Sequence, residues 1–354
     1  MELLDFFKDK KVFITGNTGF KGSWLSALLL RAGAEIFGYA LAPPAEPSLF
    51  GMCGLENKMH AETGDIRDID RLRSVFNDFK PEIVIHMAAQ PLVIDSYKDP
   101  AYTFDVNVMG TVNILECVRN SGDTKAFLNV TTDKVYKNNE WHWGYREDDA
   151  LCGQDPYSNS KSCSELVTYS YRESFFGKEA HKAAVATARA GNVIGGGDFS
   201  ENRILPDCVR AAMRHEKIIV RNKDSIRPWQ HVLEPLRGYL MIIKKLYECG
   251  KEYAGAYNIG PREEDCVTVE RLAQLFCRYW PGAEWEYIPK PGAVHEAAFL
   301  KLDGAKTRNV IGYDPKWNID AAVRKTVEWS RAFADGGDMY DLTLSQIDEY
   351  FELK

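Results

Sequence analysis

Residues 11–30 constrain the fold more than any other stretch. Lys11-Val12-Phe13-Ile14-Thr15 is a short apolar run with β-branched residues, it leads straight into Gly16-Asn17-Thr18-Gly19-Phe20-Lys21-Gly22, and an apolar stretch from Trp24 to Leu30 follows. Strand, glycine turn and helix in immediate succession read as one βα unit. Glycines let backbone approach a phosphate, and a helix N-terminus supplies free N–H groups and the positive end of a dipole. The spacing is GxxGxxG, which turn packing alone would also produce, but its place at the first strand-to-helix turn points to a dinucleotide. Gly16, Asn17, Gly19, Phe20 and Gly22 are its candidate contacts.

Further strand-like runs follow at Glu35 to Ala40, Lys58 to Gly64, Glu82 to Met87, Ala126 to Thr131 and Ala184 to Ala188, each short and bounded by turn or charged residues. The segments between them read as helices. In the clearest, Phe104, Val108, Thr111, Val112 and Leu115 follow one apolar face, with Asn107 and Asn113 elsewhere on the wheel. Alternating strands and helices predict an α/β chain with a parallel, doubly wound sheet and a ligand crevice at the carboxyl ends of the strands. Asp65 and Ile66, Ala88-Ala89-Gln90, and Thr131-Thr132-Asp133-Lys134 all fall at such ends. One feature departs from the usual dinucleotide pattern: the second strand runs into Ala40-Leu41-Ala42-Pro43-Pro44, with no carboxylate for an adenosine ribose. Weaker ribose contacts and a cofactor that exchanges with solvent are expected.

Two proton-transfer sets stand downstream. Tyr157 and Lys161 are four residues apart, one turn on one helix face, where an ammonium can stabilise a tyrosinate and bring a poor base toward the working pH. Thr132-Asp133-Lys134 adds an acid and a base. Alone, Asp133 would read as a turn or cap residue and Lys134 as a solvated charge. At a strand end, with YxxxK downstream, they read as chemistry.

Composition frames this without choosing the reaction. At 354 residues, 45% hydrophobic and 27% charged, the chain is long enough for two lobes and a large core. A formal net charge of −7 argues against nucleic-acid binding. The longest apolar stretch stops at Arg31, short of a membrane span, and Met1-Glu2-Leu3-Leu4-Asp5 does not read as a signal peptide, so no membrane partner and a cytoplasmic location are expected. Eight cysteines without a CxxC pair or a nearby histidine at ligand spacing read as reduced packing residues, and no metal site is expected. His86, inside an apolar run, reads as a hydrogen-bonded buried residue.

TGxTGxxG, HxAA at 86–89, Asn107 and YxxxK together resemble the extended short-chain dehydrogenase/reductase family over essentially the whole chain. The longer runs Thr132–Trp141, Trp143–Glu147, Asp155–Lys161, Arg189–Asp198 and Arg227–Pro235 resemble its sugar-nucleotide 4,6-dehydratases. Lys134 stands where the thymidine-linked enzymes carry Glu and the cytidine-linked ones Lys; inverting UDP-N-acetylglucosamine dehydratases also carry Lys there, but lack the tyrosine kept here as Tyr157. The resemblance implies a Rossmann-like domain over 1–190, with 226–262 returning to it, and an interleaved C-terminal domain, mainly 191–354, for the nucleotide sugar. It further implies NAD as cofactor, CDP-glucose as small-molecule substrate and a homo-oligomer, dimer or tetramer. Tyr157 with Lys161 and Thr132 would serve oxidation at C4, Asp133 would be the acid and Lys134 the base of the elimination, and Asn192, Arg203 and Arg227 would meet the nucleotide. A dehydratase or epimerase of a dTDP-, UDP- or GDP-linked sugar, a one-step oxidoreductase, and a cofactor-sensing protein without turnover are the alternatives.

Overall fold

Strand residues alternate between two apolar layers, and that alternation sets the architecture. The computed structural model describes residues 2–176, 181–289 and 299–353. Seven strands, β1 (Lys11–Thr15), β2 (Glu35–Ala40), β3 (His60–Thr63), β4 (Ile83–His86), β5 (Ala126–Thr132), β6 (Ala184–Ala190) and β7 (Gly255–Ile259), form one sheet in the order β7-β6-β5-β4-β1-β2-β3. Every neighbouring pair is parallel. The winding reverses between β1 and β4, which opens a crevice at their carboxyl ends.

The helices long enough to pack are α1 (Phe20–Arg31), α2 (Ile69–Phe79), α3 (Gly110–Arg119), α4 (Pro156–Tyr171), α5 (Ile204–Met213), α6 (Leu233–Cys249), α7 (Val269–Tyr279), α8 (Ile319–Ala334) and α9 (Met339–Phe351). Val12, Ile14, Ile83, Ile85 and Leu128 point to one face of the sheet, against Trp24 and Leu28 of α1 and Leu236 and Leu240 of α6. Phe13, Val84 and Phe127 point to the other, against Leu72 and Phe76 of α2 and Ile114 and Leu115 of α3. With both faces covered, the strands are apolar throughout. A second core joins Leu205 and Cys208 of α5, Leu272 and Phe276 of α7, and Ala322 and Val323 of α8. Of the second lobe expected at 191–354, residues 290–298 and 354 lie outside the described residues.

The chain leaves the sheet after β6 and comes back: α6 packs on it and β7 pairs with β6 as the edge strand. The strands lie where the sequence predicts them, within two residues at each end. Two corrections concern helices. The first begins at Phe20, not Trp24, because the glycine turn closes directly into it. The buried face around Asn107 is Val106, Asn107, Gly110, Thr111, Ile114, Leu115 and Val118, whereas Phe104, Val108 and Val112 are only partly buried. A wide turn over Asp105–Met109, with i→i+5 spacing, shifts the helical phase and turns Asn107 inward. Among the described residues no helix is long and apolar enough to cross a membrane.

Candidate active site

The glycine turn is shaped by backbone crowding. Gly16 has φ +77°, and a Cβ there would stand 2.7 Å from Ala88 N; one on Gly22 would stand 2.1 Å from Gly16 O. Any side chain at either place would force the turn apart. Gly19 is the N-cap of α1 and provides no side-chain acceptor, so the first-turn N–H groups remain available to a ligand, with Phe20 partly exposed beside them. Asn17 is buried, and its Oδ1 has no hydrogen-bond partner.

Around this turn the other strand ends converge. Thr15 Oγ1 accepts from Met87 N and Ala88 N, so its own proton goes to His86 Nδ1 at 2.7 Å. His86 Nε2 then donates to Thr111 Oγ1 at 3.2 Å. Burial, with the charge of Lys161, pushes this histidine down to about 3, so it is a neutral structural link. Asn107 Oδ1 accepts from Gln90 N, and its Nδ2 donates to Gln90 O and to Ser160 Oγ. This side chain therefore ties the Ala88-Ala89-Gln90 loop to α4. Ile66 is buried, with its carbonyl held by Asn113 Nδ2. The Asp65 carboxylate accepts from the Arg67 guanidinium and backbone N–H, which holds it below the usual carboxylate range.

Asp155 starts α4 by accepting from Ser158 N, with Pro156 at the first helical position, and so places Tyr157 and Lys161 under the end of β5. Lys161 is buried and Tyr157 partly exposed. Burial pushes Tyr157 up to about 12, opposed by its hydrogen bond with Thr132 and by the charge of Arg203. Burial lowers Lys161 to about 8, and Glu165, one turn on, opposes it. Lys161 Nζ donates to Val130 O at 3.2 Å.

Asp133 is not the cap of its turn. Thr132 is, accepting from Lys134 N, and this frees the Asp133 carboxylate for the site. Its Oδ1 accepts from Thr132 Oγ1 at 3.0 Å and from Lys134 Nζ at 3.2 Å, while Oδ2 is buried without a partner. Oδ2 fits there because residue 191 is glycine: a Cβ would stand 1.9 Å away. Asp133 is wholly buried and Lys134 one-third exposed, so the pair spans from the interior to the crevice.

Beyond the sheet, Asn192 takes φ +40°, with Oδ1 buried and unpartnered. Arg203 precedes α5, where Asp198 Oδ2 holds its Nη1 at 3.2 Å. Arg227 lies on another element, the Ile226–Pro228 strand, buried, with Nη1 donating to Ile226 O. Sequence reasoning passed over Lys21, which lies in the same cluster of charges as Asp133, Lys134, Lys161 and Arg203. It was hidden inside a turn read for its backbone. Glu165 was also missed: on α4 itself, it pairs with Arg189 at 2.9 Å and accepts from Thr187 Oγ1, all buried. Its signal was the i+4 spacing from Lys161.

Residues 13–326 match the family of GDP-mannose 4,6 dehydratase. The chain is 47% identical over 350 residues to a CDP-glucose 4,6-dehydratase of Salmonella typhimurium, covering 98% of this chain and 97% of that one. Its fold is similar to a dTDP-glucose 4,6-dehydratase of Bacillus anthracis solved with NAD (TM-score 0.76, 20% identity, 94% of this chain and 99% of that one). It is also similar to a UDP-glucose 4-epimerase of Thermotoga maritima solved with UDP-glucose (TM-score 0.78, 21% identity, 91% and 99%). On a match of this length, the chain belongs to the GDP-mannose 4,6 dehydratase family.

Proposed function

We propose that the protein converts CDP-glucose to CDP-4-keto-6-deoxyglucose and water, with NAD as cofactor. The observation that carries this reading is the Asp133–Lys134 pair beside Thr132 and Tyr157. An epimerase or a one-step oxidoreductase needs only the threonine, the tyrosine and Lys161; a paired acid and base is surplus to either. The 47% identity to the Salmonella enzyme favours cytidine as the base.

The cradle fits a dinucleotide. The close approach of Gly16 and Gly22, the open first turn of α1 and the orphaned Asn17 Oδ1 leave room and donors for a diphosphate. In this reading Asp65, Ile66, Ala88, Ala89, Gln90, Asn107, Tyr157 and Lys161 would hold the rest of the cofactor. NAD held there would supply the acceptor for hydride from sugar C4 and the donor that returns it to C6. Tyr157, which burial holds protonated in the ligand-free protein, takes the proton of the C4 hydroxyl as a tyrosinate, the form that Thr132 and Arg203 favour. The resulting ketone acidifies C5–H. With the Lys134 ammonium proton passed to Asp133 across their 3.2 Å contact, Lys134 removes the C5 proton and Asp133 protonates the departing C6 hydroxyl, which leaves as water; as hydride arrives at C6, Lys134, in exchange with solvent, returns a proton to C5. Asn192, Arg203 and Arg227 bind the nucleotide. Residues 1–190 with 226–262 form the cofactor domain and 191–354 mainly the nucleotide-sugar domain. Leu166 and Tyr169, exposed one turn apart on α4, support a homo-oligomer through that face. Eight free cysteines support a reducing, cytoplasmic setting.

The test is incubation with CDP-, dTDP-, UDP- and GDP-linked sugars and NAD+ in heavy water. CDP-glucose should give a product one water lighter, with solvent deuterium at C5 and the substrate's C4 hydrogen at C6. A C4 epimer with no water lost would establish the epimerase reading, and solvent deuterium at C6 would exclude internal hydride return.

A further inference from the structure

Five charged side chains meet in the crevice, and four of them are engaged. Lys134 pairs with Asp133, Lys161 donates to Val130 O, and Arg203 is held by Asp198. Lys21 makes no hydrogen bond or ion pair among the described residues, although its neighbours are Lys161, Arg203, Asp133 and Lys134. Three cations against one carboxylate leave its ammonium in a positive field with no anion of its own. The side chain is partly exposed, so an anion from outside can reach this unpaired ammonium and take the place of the water that covers it.

The location says which partner. Lys21 lies in the first turn of α1, where the loop that leads to Arg203 packs closely: Trp24 Nε1 donates to Gly196 O at 2.9 Å, and a Cβ on Gly195 would touch the Phe20 ring at 3.2 Å. The backbone of the turn serves the cofactor side of the crevice. The side chain's charged neighbours belong to the catalytic strand, the catalytic helix and the second lobe.

We propose that Lys21 binds the diphosphate of the nucleotide sugar, as a point charge that links the glycine turn to the Gly195–Arg203 loop. The assignment rests on the reading of the substrate as a nucleoside diphosphate sugar. The other source of the same chemistry is the diphosphate of the dinucleotide, and the test separates the two. In the ligand-free protein, burial and the surrounding cations lower Lys21 to about 7. A bound diphosphate raises it again, so binding takes up a proton and weakens as pH rises above about 7.

The experiment measures binding of CDP, of cytidine and of NAD+ by calorimetry, from about pH 7.5 to about 9, where the terminal phosphate of CDP is already ionised. In Lys21→Met, the Kd for CDP at pH 7.5 should rise about 10- to 100-fold, the value expected for one charge-assisted contact, while cytidine and NAD+ bind as before. Lys21→Arg should restore CDP binding and flatten its pH slope, because a guanidinium stays charged; Lys161, unchanged in both, contributes equally. Unchanged cytidine affinity shows that each variant is folded. A Kd for CDP in Lys21→Met within threefold of wild type, a wild-type slope in Lys21→Arg, or a loss of NAD+ affinity in Lys21→Met would each overturn the assignment. Wild-type protein that binds CDP, loses it on Lys21→Met, yet never dehydrates CDP-glucose would sink the dehydratase reading and uphold Lys21.

Discussion

Lys134 and Asp133 are adjacent in sequence, yet their surroundings differ: the carboxylate is wholly buried with one orphaned oxygen, and the ammonium reaches the crevice. That contrast suits an acid that must hold a proton away from water and a base that must meet the sugar. Lys134→Met keeps much of the aliphatic stem and removes the base. Dehydration should fall by about 10²- to 10⁴-fold, with oxidation at C4 spared because Tyr157 and Thr132 are untouched. Quenching the reaction with borodeuteride should then label C4 of a hexose that still carries its C6 hydroxyl. Wild-type turnover by this variant would make Lys134 a bystander. Sequence alone identified this pair, since it is local; the role of Thr132 as the cap that frees Asp133 became visible only in the folded turn.

Element α4 carries Tyr157 and Lys161 near its N-terminal end, at the end of β5, and Glu165 one turn further on the same face, against β5 and β6. Glu165 is bound by Arg189 of β6 and by Thr131 and Thr187, and Arg189 also stacks on Tyr136 and donates to Glu147 O. Glu165→Ala would strand the guanidinium in the core, and removal of one member of a buried pair costs about 3–5 kcal/mol. Urea denaturation should register that loss, together with lower activity as the helix shifts. A change under about 1 kcal/mol would mean that water reaches Arg189. The β2 end gives the second prediction at this scale. Ala40 leads into exposed Leu41, and no carboxylate stands at the strand end to hold an adenosine ribose. Purified protein should be cofactor-poor and gain activity from added NAD+; protein that emerges saturated would show that the cradle holds the cofactor without a ribose acid.

Across the whole molecule, two buried histidines link separate elements and both are held neutral: His86 ties β4 to β1 and α3, and His231 sits between Trp24 of α1 and the start of α6. His86 and His231 are each lowered to about 3, chiefly by burial. A histidine depressed in the folded state stabilises the fold above its unfolded value near 6.5, and that stability is lost as pH falls toward 3. Each contributes about 1.4 kcal/mol per pH unit below 6.5. The urea midpoint should therefore drop steeply between about pH 6.5 and 5, before most carboxylates titrate, and His231→Gln should remove about half of the slope. A flat midpoint over that range would mean that water hydrates these rings. The sequence by itself determined the strands and the parallel sheet, and it supplied the two candidate proton-transfer sets, because apolar runs, glycine turns and i, i+4 spacing are local signals that survive in the linear chain. It misjudged the face bearing Asn107, because one wide turn changes the phase of every residue after it. Only the tertiary structure decided which charges share the crevice: Lys21, Asp133, Lys161 and Arg203 come from four separate segments, and the protonation of Lys21 and Lys161 depends on burial and on neighbouring charges, which no spacing encodes.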